Sequence, residues 1–61
     1  MPHISIIGPV LPLEDKRRLV QKMTELVSDI YHIPKEKFMI HIFESLRENT
    51  GSGGELLSDK K

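Results

Sequence analysis

The amino-acid sequence predicts an α+β fold built on a β-α-β unit whose two strands are parallel. Two short segments rich in branched and aromatic residues flank one long segment with an apolar period of 3.6 residues. A helical crossover of about 20 residues places the strands it joins parallel, almost always with a right-handed connection. The length of 61 residues allows one small domain, residues 1–61.

The first predicted strand, residues 3–7, contains three isoleucines, whose branched side chains fit a pleated surface. Gly8 and Pro9 follow it directly and end it. The N-terminal residues have no basic n-region and no apolar run as long as that of a secretion signal, so we expect no targeting segment here.

The predicted helix begins near Leu13, has His32 in its last turn and ends before Pro34. Glu14 lies in the first turn, where the helix dipole favours an acid, and it is spaced for an ion pair with Arg18. The apolar residues recur at spacings of one, three and four, which predicts one broad apolar stripe: Leu19, Val20, Met23, Leu26, Val27, Ile30 and Tyr31.

The second predicted strand, residues 38–43, is apolar on both faces. Strand alternation places one set on one side, Phe38, Ile40 and Ile42, and the other set on the opposite side, Met39, His41 and Phe43. One helix covers only one face, so the other face requires a second copy of the chain. The small number of apolar residues, 38% of a short chain, also favours an oligomer.

Composition excludes several classes of function. Nine basic and nine acidic residues give a net charge of zero, so the chain has no field that would hold nucleic acid or an anionic membrane. Without cysteine it has no disulfide framework and no thiolate metal site. The apolar runs are far shorter than the roughly 20 residues needed to span a bilayer. We therefore expect a cytoplasmic protein.

Pro2 is the residue with unusual chemistry. Removal of Met1 would leave Pro2 with a secondary amine, which no other residue type provides. An α-amino group titrates near about 7.7–8.0, and burial or a nearby cation lowers that value. Such an amine can act as a general base near neutral pH. Taken alone, the Met-Pro pair has no meaning beyond a common chain start.

The rest of the sequence gives the pair a context. A strand opens directly after Pro2, a helix and a second strand follow, and a glycine-rich segment lies near the C-terminus: Gly51, Ser52, Gly53, Gly54, Glu55 and Leu56. Nearly the whole chain thereby resembles the 4-oxalocrotonate tautomerase family. The resemblance implies that the glycine-rich segment is a short C-terminal hairpin. It also implies hexamers, trimers of dimers, whose sheets are completed by neighbouring chains.

The resemblance further implies a keto-enol tautomerase that acts on small 2-oxo acids with no cofactor and no metal, with Pro2 as general base. Family members hold the substrate with arginines, but the loop of residues 8–12 has none, and Met39 stands where a second is usual. Thr50 stands where an aromatic residue usually closes the pocket. His41 and Arg47 are the candidates that replace these groups. Their alternatives are an interface histidine and a solvated loop cation.

Two alternatives stay open at this level. The missing arginines also fit a non-catalytic oligomeric scaffold or binding module that keeps the fold without the chemistry. If Met1 is retained, Pro2 has an amide nitrogen with no basicity, and the proline chemistry is lost.

Overall fold

A computed structural model describes residues 2–60 of the chain and contains the predicted β-α-β unit. Strand β1 (His3–Gly8) leads into helix α1 (Leu13–Tyr31), and strand β2 (Met39–Glu44) follows. The two strands pair in parallel, from His3 opposite Met39 to Gly8 opposite Glu44. The predicted fold class is thereby confirmed.

Both ends of α1 follow from local chemistry. Pro12 precedes the helix, and the acids of the first turn face the positive end of its dipole. Glu14 forms an ion pair with Arg17, so the predicted pairing with Arg18 is wrong. His32 lies just beyond the last turn, in the left-handed conformation at φ 59°, and its N–H donates to the Ser28 carbonyl.

Strand β2 begins one residue later than predicted, because Phe38 closes a short 3-10 helix, Lys35–Lys37. Two further single-turn helices, Arg47–Asn49 and Leu57–Asp59, were not predicted. Helices of three residues leave no periodic pattern in a sequence.

The two faces of the sheet differ as the alternation predicts. The side facing α1 contains the half-buried isoleucines of both strands and the one buried residue of the described part, Phe38, whose ring contacts Tyr31. The other side, here called the open face, consists of exposed residues: His3, Ser5, Ile7, Met39, His41 and Phe43. Three of these residues, Ile7, Met39 and Phe43, are apolar, and their exposure to water is unfavourable.

The apolar stripe of α1 is wider than the sheet beneath it. Leu19, Met23 and Val27 are half-buried, whereas the rest of the stripe is exposed: Val20, Leu26, Ile30 and Tyr31. Four of the seven stripe residues are therefore exposed within residues 2–60, and of these four Tyr31 contacts Phe38.

The glycine-rich segment forms the hairpin that the family resemblance implied. Strands β3 (Gly51–Ser52) and β4 (Glu55–Leu56) pair antiparallel, and the turn residues Gly53 and Gly54 have φ of 64° and 87°. Positive φ at both central residues is the requirement of a type I′ hairpin turn, which glycine meets without strain.

The chain is extended and open. Its radius of gyration is 14.9 Å, whereas a compact chain of this length has about 10.5 Å. Its accessible surface is 5033 Å², roughly 1,000 Å² more than a compact monomer of this mass exposes. None of the helices within residues 2–60 has the length and apolarity that crossing a bilayer requires.

Candidate active site

Pro2 lies at the start of β1, beside the best-packed point of the fold. The Met39 N–H donates to the Pro2 carbonyl at an N···O distance of 3.1 Å. Met39 directly follows Phe38, which is only 8% exposed. The backbone of Pro2 is therefore fixed by a residue next to the core. Met1, whose removal decides whether Pro2 has an amine, lies outside the described residues.

Two further candidate residues lie at the same end of the sheet as Pro2. Met39 and His41 both belong to β2, and both side chains are on the open face. His41 Nε2 is 3.4 Å from Nδ1 of His3. One ring nitrogen of His41, a candidate for substrate binding, is thus directed at a second histidine.

Arg47 and Thr50 lie beyond the opposite end of the sheet. Arg47 follows β2, and its guanidinium donates to the Leu57 carbonyl at 2.8 Å. The Thr50 hydroxyl contacts the Ser45 hydroxyl at 2.6 Å and donates to the Leu46 carbonyl at 3.0 Å. Thr50 therefore joins the end of β2 to the start of the hairpin.

Two adjoining cavities lie at this end of the sheet. One, of about 470 Å³, is lined by Pro9, Val10, Ser45, Leu46, Arg47, Glu48 and Ser58. The other, of about 260 Å³, is lined by Ile7, Gly8, Pro9, Ser45, Arg47, Thr50 and Leu57. Both are mainly apolar, and Arg47 is the one cation in either lining. Pro2 lines neither of them.

The predicted site residues thus form two groups. Pro2, Met39 and His41 lie at one end of the strands, and Arg47 and Thr50 lie at the other. The six residues of β1 separate Pro2 from Pro9, a distance of about 23 Å along the strand. One chain does not bring the two groups together.

An ion pair that sequence reasoning missed lies beside the loop before α1 and joins the helix to the end of β2. The carboxylate of Glu44 accepts hydrogen bonds from Lys16 Nζ at 2.8 Å and from the Leu11 N–H at 3.0 Å. The Lys16 ammonium, and next the Leu11 N–H, lower the pKa of Glu44 below its ordinary value of 4.5, although desolvation opposes them. Lys16, in the first turn of α1, is therefore engaged with an acid beside this loop.

Neither the Glu44 ion pair nor the histidine pair can be read from one sequence. Each joins residues more than 25 positions apart: the histidine contact depends on the register between β1 and β2, and the ion pair depends on how α1 packs beside β2. Once that register pairs His3 with Met39, strand alternation places His3 and His41 on one face. Within residues 2–60, no three metal-ligating side chains cluster together.

Comparisons with known proteins agree with this architecture. The family model described as "Tautomerase enzyme" matches residues 2–60. A search of curated proteins finds no match.

Several solved structures are similar over almost the whole chain. A 4-oxalocrotonate tautomerase homologue, TTHB242, is 32% identical with a TM-score of 0.89 and covers 100% of this chain and 98% of its own. DmpI from Archaeoglobus fulgidus is 34% identical with a TM-score of 0.87 and covers 95% of this chain and 100% of its own. YwhB, also a homologue of 4-oxalocrotonate tautomerase, is 30% identical with a TM-score of 0.90 and covers 98% of this chain and 100% of its own. The chain belongs to the tautomerase family.

Proposed function

We propose that this protein is a cofactor-independent tautomerase that interconverts the enol and keto forms of small 2-oxo acids, with Pro2 as general base. The observation that carries the proposal is the position of Pro2, held at the start of β1 by the Met39 N–H beside the buried Phe38. A general base must keep one orientation towards the proton that it moves. This hydrogen bond fixes the backbone of residue 2, and the proline ring, which locks φ, fixes the direction of its nitrogen.

The proposed reaction needs only proton transfer. With Met1 removed, the Pro2 nitrogen is a secondary amine that takes the proton from the enol hydroxyl. The same nitrogen then delivers a proton to the carbon of the former double bond, so the amine is regenerated and nothing is consumed. An amine titrating near or below about 7.7–8.0 has enough free base for this at neutral pH.

We propose that the site is completed by a neighbouring copy in a homo-oligomer, a hexamer by analogy with the family. The separation between Pro2 and the cavities around Arg47 supports this, as does the unpartnered open face. Arg47 uses one of its five N–H donors on Leu57. The remaining donors suit a substrate carboxylate or the oxygen of an enolate. Because His41 faces His3, Arg47 is the stronger candidate for this charge.

The Pro2→Ala variant tests the base. Alanine is also small, so Met1 removal is retained, and mass spectrometry confirms it in both proteins. Ketonisation of phenylenolpyruvate or 2-hydroxymuconate should slow by about a hundredfold to ten-thousandfold, the usual contribution of a general base. A Pro34→Ala variant, altered between α1 and β2, should retain the wild-type rate. Equal rates for wild type and Pro2→Ala would show that the reaction does not need the secondary amine of proline, and would contradict the proposed role of Pro2.

A second candidate function is a non-catalytic scaffold or binding module. It is favoured by the loop of residues 8–12, which has no arginine, and by the engagement of nearby Lys16 with Glu44. Alkylation by a 3-halo-2-oxo acid separates the two functions. Selective labelling of Pro2, with a midpoint well below that of a free proline amine, would contradict the scaffold. Labelling no faster than that of a model peptide would support it.

A further inference from the structure

The open face contains a pair of histidines from neighbouring strands, independent of the Pro2 chemistry. His3 begins β1 opposite Met39, and His41 lies two residues along β2, opposite Ser5. Both side chains are exposed. Nδ1 of His3 and Nε2 of His41 are 3.4 Å apart.

The two rings meet edge to edge. Their planes differ by 7°, and their centroids are 5.6 Å apart. That separation exceeds the 3.4 Å between the two nitrogens by about two ring radii, so the nitrogens lie nearly on the line that joins the centroids. The rings are therefore almost coplanar, with one nitrogen of each directed at the other, rather than stacked face to face.

The spacing of these nitrogens matches a metal chelate. Zinc binds imidazole nitrogen at about 2.0–2.1 Å in tetrahedral sites, which places two bound nitrogens about 3.3–3.4 Å apart. A right-angled arrangement at the same bond length would bring them to about 2.9 Å. The observed 3.4 Å fits the tetrahedral case. As placed, one nitrogen of each ring is directed at the other, which is also the arrangement of an N–H···N hydrogen bond. To direct both lone pairs at one ion, each ring must turn by about 30–35°. The broad χ2 torsion of histidine allows such a turn.

We propose that His3 and His41 bind a divalent transition-metal ion with tetrahedral preference, zinc above all, through Nδ1 of His3 and Nε2 of His41. Imidazole nitrogen is a suitable ligand for zinc, so this site needs no cysteine, which the chain lacks. Two histidines are half of a tetrahedral set, so water or groups of a neighbouring chain supply the other positions. The site lies on the open face and does not depend on the proposed tautomerase activity.

Zinc titration followed by NMR of the histidine ring nitrogens tests the proposal on the full-length protein. One ion per chain should shift the resonances of His3 Nδ1 and His41 Nε2 and leave those of His32, at the end of α1, unchanged. Addition of a chelator should reverse the shifts. Saturable zinc binding that leaves the resonances of these two nitrogens unchanged would overturn the proposal. So would the absence of saturable binding at millimolar zinc.

Calorimetry of matched variants identifies the ligands. His3→Gln and His41→Gln should each raise the dissociation constant for zinc by more than the roughly 10–100-fold that loss of an outer-shell partner costs. His32→Gln is the control and should bind like the wild type. Circular dichroism confirms that each variant is folded.

One pattern of results would assign the ion elsewhere. If His3→Gln abolishes binding while His41→Gln binds like the wild type, the ion is bound by His3 and the N-terminal amine of the chain rather than by the histidine pair. That result overturns the proposal. Equal weakening by all three substitutions would also overturn it, because it indicates a non-specific effect on the protein.

Discussion

At the scale of single residues, Glu44 organises the loop that precedes α1. Its carboxylate joins the end of β2 to the Leu11 main chain and to Lys16 in the first turns of the helix. No cap from a side chain begins this helix. The Lys16 ion pair and the Leu11 hydrogen bond therefore fix how the helix leaves the sheet.

The lowered pKa of Glu44 makes this contribution dependent on pH. Because its folded-state pKa is below the ordinary 4.5, the ionised form stabilises the folded state above that pH. The contribution is lost as pH falls through that value and below it. Thermal midpoints should therefore separate wild type from Glu44→Gln at neutral pH and converge in acid, once the pH is below the lowered folded-state pKa of Glu44.

Glu25→Gln serves as the control for this prediction. Glu25 is an exposed acid on α1 that makes no ion pair within residues 2–60. Its midpoints should follow those of the wild type at every pH. A constant difference between Glu44→Gln and wild type, from neutral to acidic pH, would contradict the ionic role of Glu44.

At the scale of elements, the hairpin is held by its turn and by Thr50. The Leu57 N–H donates to the Thr50 carbonyl at 2.7 Å, which continues the pairing of β3 and β4 by one residue. Thr50 also ties the hairpin to the end of β2 through the Ser45 hydroxyl. The residue expected to close the pocket thus has a structural task that its hydroxyl performs.

Gly54→Ala should weaken the hairpin through its backbone alone. A methyl group at Gly54 would meet nothing within 4 Å, but φ of 87° is unfavourable for alanine, at roughly 1–2 kcal/mol. Hydrogen exchange of the Leu57 amide should accelerate about 5–30-fold, because that free energy raises the equilibrium constant for opening of the hairpin by this factor. Gly8→Ala also adds a methyl group in open space, without positive φ, and should leave exchange unchanged. Equal exchange in both variants would contradict the required turn conformation.

The elements differ in how far the sequence predicts them. Period-two alternation identified the two faces of residues 38–43, and the long crossover identified the parallel pairing, because both depend on local patterns. The hairpin was predicted only by family resemblance, since strands of two residues have no period. The His3–His41 contact depends on the register between β1 and β2, and the Glu44–Lys16 ion pair depends on the packing of α1 beside the end of β2. No local pattern encodes either of them.

At the scale of the whole molecule, the open shape supports the proposed assembly. The excess surface of roughly 1,000 Å² is comparable with the roughly 800 Å² that one partner buries in a standard interface. Most of the large apolar side chains that are exposed lie on the open face or on α1, among them Ile7 at 77% and Ile30 at 65% exposure. A second copy packed on these surfaces would supply the core that one chain lacks.

Phe43→Glu tests whether the open face is an interface between copies. Phe43 is 54% exposed in one chain. On a surface that stays in water, such a substitution changes stability by no more than about 0.5 kcal/mol. At an interface it would place a carboxylate against apolar groups, at a cost of several kcal/mol unless the chains separate. Native mass spectrometry should therefore show the wild type at six times the chain mass and Phe43→Glu as smaller species with a lower thermal midpoint.

Gln21→Glu adds the same charge on the exposed polar side of α1 and should leave the assembly intact. Assembly of Phe43→Glu at the wild-type mass and midpoint would place the interface elsewhere and leave the open face in solvent.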